Sequence, residues 1–319
     1  MILSGVIGVA GGIAAVILKS TVHYIQHTLS DFKEDVAHYL FLIYPLIGIV
    51  ITSIVADKLL KEKLGHGITS ILYTISKKSS IISRIKTYSS MITSAITVGF
   101  GGSVGLEAPI VVTGSAIGSN IGQLMHLSYK QRTLMIGCGA AAAISGIFNS
   151  PVAGVIFSIE VILTDVTIAA FIPLLIASVI GSLVSMLTLG SDVLFSFNLT
   201  DPFLASDFPY FLVLGALCGL VSVYFTRLTQ FTESVAVRIK NKTGRAIFGG
   251  LALGIIIFVF HPIYGEGYDS ITTILNGNPE ALLKESFFLK NEDSTIFLIL
   301  FSLGILLIKP IATGLTLGA

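Results

Sequence analysis

Residues 99–109 read Gly-Phe-Gly-Gly-Ser-Val-Gly-Leu-Glu-Ala-Pro, a glycine-rich run that ends in a proline. The glycines free the backbone, and the proline suits the first turn of a new helix. The first N–H groups of a helix lack intrahelical partners and carry partial positive charge, so they can replace the hydration shell of an anion. Glu107 stands at this N-terminus. The run therefore predicts an anion site that the Glu107 carboxylate occupies when ionised and leaves when protonated; the alternative is a glutamate that only caps its own helix.

The composition surrounding this run is that of a membrane protein. The chain has 319 residues, of which 53% are hydrophobic and 12% are charged, against about 25% charged in soluble domains. Its formal net charge of +1 leaves no polybasic face, so a nucleic-acid partner is not expected. Both cysteines, Cys138 and Cys218, lie in apolar stretches and do not indicate a disulfide. We expect a multi-pass integral membrane protein whose solvent is the lipid bilayer.

The apolar stretches that follow the run, between residues 110 and 164, are interrupted by Gly, Asn and Pro. The pieces are about 12 to 17 residues long, whereas a simple membrane-spanning helix needs about 20. Broken helices at membrane depth line polar cavities, since their free backbone groups need partners. The pattern predicts helices that surround a polar pathway.

Three segments recur in the same order later in the chain. Their pairs are 8–16 with 215–223, 65–71 with 265–271, and 92–99 with 311–318. Many transporters are built from two related halves with the substrate between them. We therefore predict a first membrane repeat at 1–190, an extracellular linker at 191–207 and a second repeat at 208–319. Because Gly99 leads into the glycine-rich run and Gly318 does not, the second repeat is expected to be truncated.

The charges of the loops predict the orientation. Lys and Arg are concentrated in residues 57–86 and 238–245, and acidic residues dominate 29–38 and 191–207. Basic loops favour the cytoplasmic side. We expect a cytoplasmic N-terminus, two halves of inverted topology, and a plasma or inner membrane as the location.

Three stretches carry a resemblance to a known family. These are Gly105-Leu-Glu-Ala-Pro109, the segment 137–161 with Phe148-Asn-Ser-Pro-Val-Ala-Gly154, and Tyr264-Gly-Glu-Gly-Tyr268. They resemble the CLC chloride channels and chloride/proton antiporters over nearly the whole chain. The resemblance implies an all-α membrane protein, an inverted-repeat helical bundle with broken and tilted helices. It further implies a homodimer that transports chloride, with no enzymatic activity and no cofactor.

The resemblance also implies the site residues. Glu107 is the external gating and proton-carrying glutamate, the outer anion site is formed by Gly105, Leu106, Glu107 and Ala108, and the inner site is formed by Gly65, His66 and Gly67. Three positions depart from the family pattern, and one of them is Thr69, which stands where a proline is usual. His66 stands where a serine is usual; its ring N–H can donate to an anion, or it caps a helix without touching one. Leu106 replaces an arginine that is often found before the glutamate, which removes a positive charge.

A further departure concerns proton coupling. The family's antiporters usually carry a second glutamate where this chain has Val161, so we expect a passive chloride channel. A chloride/proton antiporter that uses water or the neighbouring Glu160 is the alternative, and a fluoride transporter or a non-conducting truncated remnant are further ones. His23 and His27 are four residues apart on a helix, but a third ligand is missing and no metal site is expected.

Overall fold

Every regular element that the computed structural model describes is helical, which confirms the all-α prediction. The described residues are 1–30, 39–60, 67–163, 168–190, 204–284 and 295–319. The α-helices are α1 (Ile2–Ser30), α2 (Tyr44–Ile54), α3 (Gly67–Lys77), α4 (Ser89–Gly99), α5 (Glu107–Leu124), α6 (Tyr129–Phe148), α7 (Pro151–Phe157), α8 (Ile168–Leu189), α9 (Phe208–Val237), α10 (Lys242–Val259), α11 (Tyr268–Leu275), α12 (Ala281–Lys284) and α13 (Thr295–Gly318).

Within this described part, five helical segments are long and apolar enough to cross a membrane. They are Ile2–Ser30, Ala169–Leu189, Ala205–Val237, Lys242–Val259 and Ile296–Gly318. Other helices are shorter, among them α2, α3 and α4 with 11 residues each. A mixture of full-length and short apolar helices agrees with an integral membrane protein whose short helices end inside the protein.

The chain forms two compact units. The first contains Met1–Thr28, Ile54–Gly99 and Gly105–Leu194, and the second contains Leu29–Ser53, Phe100–Val104 and Phe195–Ala319. The predicted division into repeats at 1–190 and 208–319, and the inverted relation between them, stay predictions.

Helices α5 and α6 form the centre of the first unit. They have 18 and 20 residues, longer than the pieces that the glycines suggested. The reason is that Gly114 and Gly139 do not interrupt their helices: a side chain on either would overlap the backbone carbonyl oxygen of the other. Small residues allow such close approach of helix backbones in membranes. All residues of α6 from Met135 to Ile147 are buried.

Helices α1 and α8 pack in the same way. An added Cβ at Gly8 would stand 2.8 Å from the carbonyl oxygen of Ala177, and one at Gly12 would stand 2.8 Å from that of Gly181. The glycines that the repeat aligns with them, Gly215 and Gly219 on α9, have no atom within 4 Å of an added Cβ. The same spacing of two glycines therefore forms a tight helix contact on α1, whereas on α9 no other helix that the structure describes packs against the two glycines.

The core of the second unit joins segments that are distant in the sequence. It contains Phe41, Tyr44, Ile49, Ala246, Leu253, Ile257, Ile263 and Ala312. Helices α9 and α13 also pack closely there, since an added Cβ at Gly314 would stand 2.8 Å from the carbonyl oxygen of Thr229. Thr229 donates from Oγ1 to the carbonyl of Pro310, which lies inside α13, at 3.2 Å.

A candidate anion site at two helix ends

Helix α5 begins at Glu107, within the glycine-rich run and after its last glycine, as the sequence predicts. Leu106 is the N-cap residue and its side chain makes no capping hydrogen bond. The Ile110 N–H donates to the Leu106 carbonyl at 3.1 Å, so ordinary helix geometry directs the N–H groups of Glu107 and Ala108 beyond the helix end. Pro109 has no N–H to satisfy. This end of α5 carries the partial positive charge of the helix dipole.

The Glu107 carboxylate lies over the backbone of Gly105. A side chain at Gly105 would overlap its Oε2 atom and stand 2.8 Å from its carboxyl carbon. Glu107 is half-buried. The carboxylate thus folds back across the start of its own helix, into space that only a glycine at position 105 leaves open. This position suits both a gating glutamate and a glutamate that caps its own helix.

The first residue of α3 lies beside the start of α5. An added Cβ at Gly67 would stand 3.1 Å from the Cβ of Ala108. The structure therefore brings a residue of the predicted inner site into contact with a residue of the predicted outer site. Gly65 and His66, the other two residues predicted for the inner site, lie outside the described residues, so their roles stay predictions.

The loop that leads into α5 is held by contacts that the sequence analysis did not identify. Ser103 is fully buried, and Lys309, Thr313 and Thr316 of α13 all form hydrogen bonds with it. These three residues are spaced i, i+4 and i+7, which is one face of a helix. In the sequence, the signal for these contacts is the polar stripe that the three residues form on one face of the otherwise apolar α13.

A glycine and an aromatic ring meet in the same loop. Gly101 has a φ of +94°, in the region that favours glycine. A side chain there would overlap the ring of Tyr264, the first residue of the Tyr264–Tyr268 motif. The family-like motif at 264–268 therefore packs directly against the start of the glycine-rich loop.

The residues predicted to bear on proton coupling lie in a π-helical turn, Ser158–Ile162. Val161 is half-buried and Glu160 is exposed. The turn is attached to α6 because Ser158 Oγ donates to the Gly137 carbonyl at 2.8 Å. An apolar side chain thus occupies position 161, and the adjacent carboxylate points to the surface of its unit.

The histidine pair of α1 has its ring centroids 6.3 Å apart. Both His23 and His27 are exposed. Across the described segments, no three His, Cys, Asp or Glu side chains are grouped so that they could hold a metal ion.

Comparison with known proteins identifies the family of this chain. The model of the voltage gated chloride channel family matches residues 47–319. The chloride channel protein CLC-f of Arabidopsis thaliana is 30% identical over 311 residues, which cover 88% of this chain and 38% of CLC-f. The chain thus spans about two fifths of the length of this plant relative.

Two solved structures share the fold. A slow cyanobacterial Cl⁻/H⁺ antiporter superimposes with a TM-score of 0.83 at 19% identity, covering 100% of this chain and 74% of the antiporter. A CLC-type fluoride/proton antiporter superimposes with a TM-score of 0.74 at 24% identity, covering 98% and 75%. The expected CLC-type helical fold is confirmed. On its sequence match and its fold, the chain belongs to the voltage gated chloride channel family.

Proposed function

We propose that the protein moves chloride passively across a membrane along a pathway that Glu107 gates. The observation that carries this proposal is the position of the Glu107 carboxylate, which lies over Gly105 at the start of α5. A carboxyl group already rests where the helix end attracts anions. Chloride and the ionised carboxylate would compete for that position, so flux requires the carboxylate to leave it.

The contact between α3 and α5 supports an anion as the transported species. Each helix N-terminus carries roughly half a positive charge, and Gly67 meets Ala108 where the two helices begin. N–H groups at such ends replace the water around an anion without a full positive side chain. Binding that is favourable but not tight lets the ion leave again, as conduction requires.

Passive conduction is favoured by Val161. A valine holds no proton, and moving a proton through an apolar zone without a carrier is costly. The exposed position of Glu160 makes it a poor substitute within its own unit. Exchange for protons is the second candidate, supported by the two antiporters that share the fold and by the capacity of Glu107 to carry a proton.

Chloride is preferred to fluoride as the substrate. The family is that of voltage gated chloride channels, and the Gly65-His66-Gly67 sequence is closer to its chloride-transporting members than to its fluoride exporters. We further infer that the protein acts as a homodimer in a plasma or inner membrane, with its N-terminus in the cytoplasm.

The proposal is tested by ion release from liposomes that contain the purified protein. Vesicles loaded with equal potassium chloride and potassium fluoride are diluted into an impermeant salt, and valinomycin carries the balancing potassium. We expect rapid chloride release, recorded with an ion-selective electrode, and much slower fluoride release. Preferential fluoride release would contradict the substrate, and release no faster than from protein-free vesicles would contradict transport and favour a non-conducting role.

A further inference from the structure

The long helix α13 contains one charged residue, Lys309, among 24 residues that are otherwise apolar, small or neutral. This helix meets the length and composition of a membrane span. A cation within a membrane span is costly and is typical of functional positions. The contacts of Lys309 therefore bear on its function.

Lys309 reaches the loop that leads into the candidate site. Its Nζ donates to Ser103 Oγ at 2.9 Å and to the Gly265 carbonyl at 3.4 Å. Ser103 lies midway between the glycine pair 101–102 and Gly105. Gly265 belongs to the Tyr264–Tyr268 motif, and the ring of Tyr264 packs on Gly101. Within the second unit, the ammonium group thus joins the glycine-rich loop at Ser103 to the Tyr264–Tyr268 motif at Gly265.

Ser103 is held on every polar atom. Its Oγ donates to the Ile263 carbonyl at 2.7 Å, its carbonyl accepts from Thr313 Oγ1 at 3.0 Å, and its N–H donates to Thr316 Oγ1 at 3.2 Å. With the Lys309 bond, three of these four interactions come from one face of α13. Because its polar atoms are all hydrogen-bonded, Ser103 has a fixed position, and this sets the starting point of the segment that follows it.

The residue that Lys309 binds, Ser103, is close to Glu107 in the sequence. Three residues lie between Ser103 and Glu107, so the four steps of extended chain that join them span no more than about 14 Å. The residue directly before Glu107 is Leu106, a buried apolar side chain that supplies no charge.

We propose that Lys309 positions the glycine-rich loop and provides, from α13, the positive charge that attracts anions to the outer site. This inference rests on the function proposed above. Lys309 acts through Ser103 and through its electric field, and it does not contact the transported ion. A unit charge about 15 Å from an anion, at an effective dielectric constant of about 20, changes anion affinity about sixfold.

Two substitutions separate the charge from the hydrogen bond. Lys309→Gln keeps a donor for Ser103 and loses the charge, and Lys309→Arg keeps both. The measured quantity is the chloride concentration that gives half-maximal flux in liposomes. We expect Lys309→Gln to raise it about sixfold and Lys309→Arg to leave it within about twofold of the unsubstituted protein. Lys240→Gln, which removes an exposed lysine of the same unit, is the matched control and should leave it unchanged.

Binding is measured separately as the rise in melting temperature on adding chloride to the detergent-solubilised protein. We expect Lys309→Gln to need about six times more chloride for the same rise. If the unsubstituted protein shows this rise but no flux, the proposed function fails while the role of Lys309 is still supported. Equal chloride dependence in Lys309→Gln and the unsubstituted protein would overturn the role of Lys309.

A milder variant covers the case in which Lys309→Gln does not fold. Ser103→Ala keeps the lysine and removes the hydroxyl that binds it. We expect a rise in the half-maximal chloride concentration smaller than that of Lys309→Gln but above twofold. If Ser103→Ala and Lys309→Arg both match the unsubstituted protein while Lys309→Gln cannot be isolated, the inference is contradicted.

Discussion

At the scale of single residues, the carboxylate of Glu107 and the absent side chain of Gly105 form one arrangement. The carboxylate occupies space that any larger residue at position 105 would fill. It also lies at a helix end where negative charge is stabilised. A change at either residue should therefore alter the same property, which is how often the anion position is vacant.

The first prediction concerns Glu107→Gln. Glutamine has nearly the shape of the protonated glutamic acid but no charge to compete with chloride. We expect chloride flux that is at least as fast as that of the unsubstituted protein and that changes much less with pH. The measurement is the initial rate of chloride release from liposomes between pH 4.5 and pH 7.5. Glu280→Gln, at an exposed position, is the control; an unchanged pH dependence in Glu107→Gln would exclude the gating role.

A second prediction concerns Gly105→Ala. The added methyl group overlaps the observed position of the Glu107 carboxylate, so it should hold the gate away from the anion position. We expect flux with reduced pH dependence, as in Glu107→Gln, although the glutamate is still present. Gly244→Ala, where an added Cβ would make ordinary contacts at 3.7 Å, is the control. A Gly105→Ala protein that keeps the full pH dependence would show that the carboxylate does not use this space.

At the scale of helices, glycine spacing determines how closely the elements approach. Along α1, Gly8 and Gly12 face carbonyl oxygens of α8, whereas an added Cβ at Gly5 would meet only the side-chain Cδ1 of Ile180 at 3.4 Å. Packed membrane helices have no flexible neighbour that can absorb an extra methyl group against a backbone. The loss of stability caused by a glycine-to-alanine substitution should therefore depend on which glycine of α1 is replaced.

The third prediction follows from this difference. Gly8→Ala and Gly12→Ala should each destabilise the protein by about 1–3 kcal/mol, while Gly5→Ala should have little effect. The measurement is the melting temperature in detergent, followed by the loss of the monodisperse peak in size-exclusion chromatography. Equal melting temperatures for Gly5→Ala and Gly12→Ala would contradict the packing of α1 on α8.

Features of the structure that depend on neighbouring residues could be predicted from the sequence, whereas contacts between distant residues could not. The start of α5 at Glu107 followed from local signals, since glycines and Pro109 act within one turn of chain. The Ser103 contacts with α13 join residues about 210 positions apart, and no local propensity encodes them. The glycine pattern predicts shorter pieces than α5 and α6, because a glycine that breaks a helix and a glycine that lets two helices approach look alike in the sequence. In the structure, Gly114 and Gly139 serve the contact between the two helices.

At the scale of the whole molecule, association is the fourth prediction. The resemblance to the family implies a homodimer, and small residues allow membrane helices to associate closely. Because α6 is buried within its own unit from Met135 to Ile147, other helices would form the contact. We expect two bleaching steps per particle when a singly labelled protein is imaged in lipid bilayers. The control is a sample diluted with excess unlabelled protein before reconstitution, which should shift the distribution to one step. Predominantly single steps without that dilution would contradict the homodimer.

The most direct test of passive, Glu107-gated chloride transport records chloride and protons in one experiment. Liposomes that contain the protein are loaded with potassium chloride and given an outward chloride gradient at equal internal and external pH. Valinomycin carries the balancing potassium, and electrodes outside record both chloride and protons. Because Val161 cannot carry a proton, we predict rapid chloride release without proton movement beyond that of protein-free vesicles. Proton movement at a fixed ratio to chloride, sustained against an imposed pH gradient and abolished by Glu107→Gln, would contradict the account and identify an exchanger.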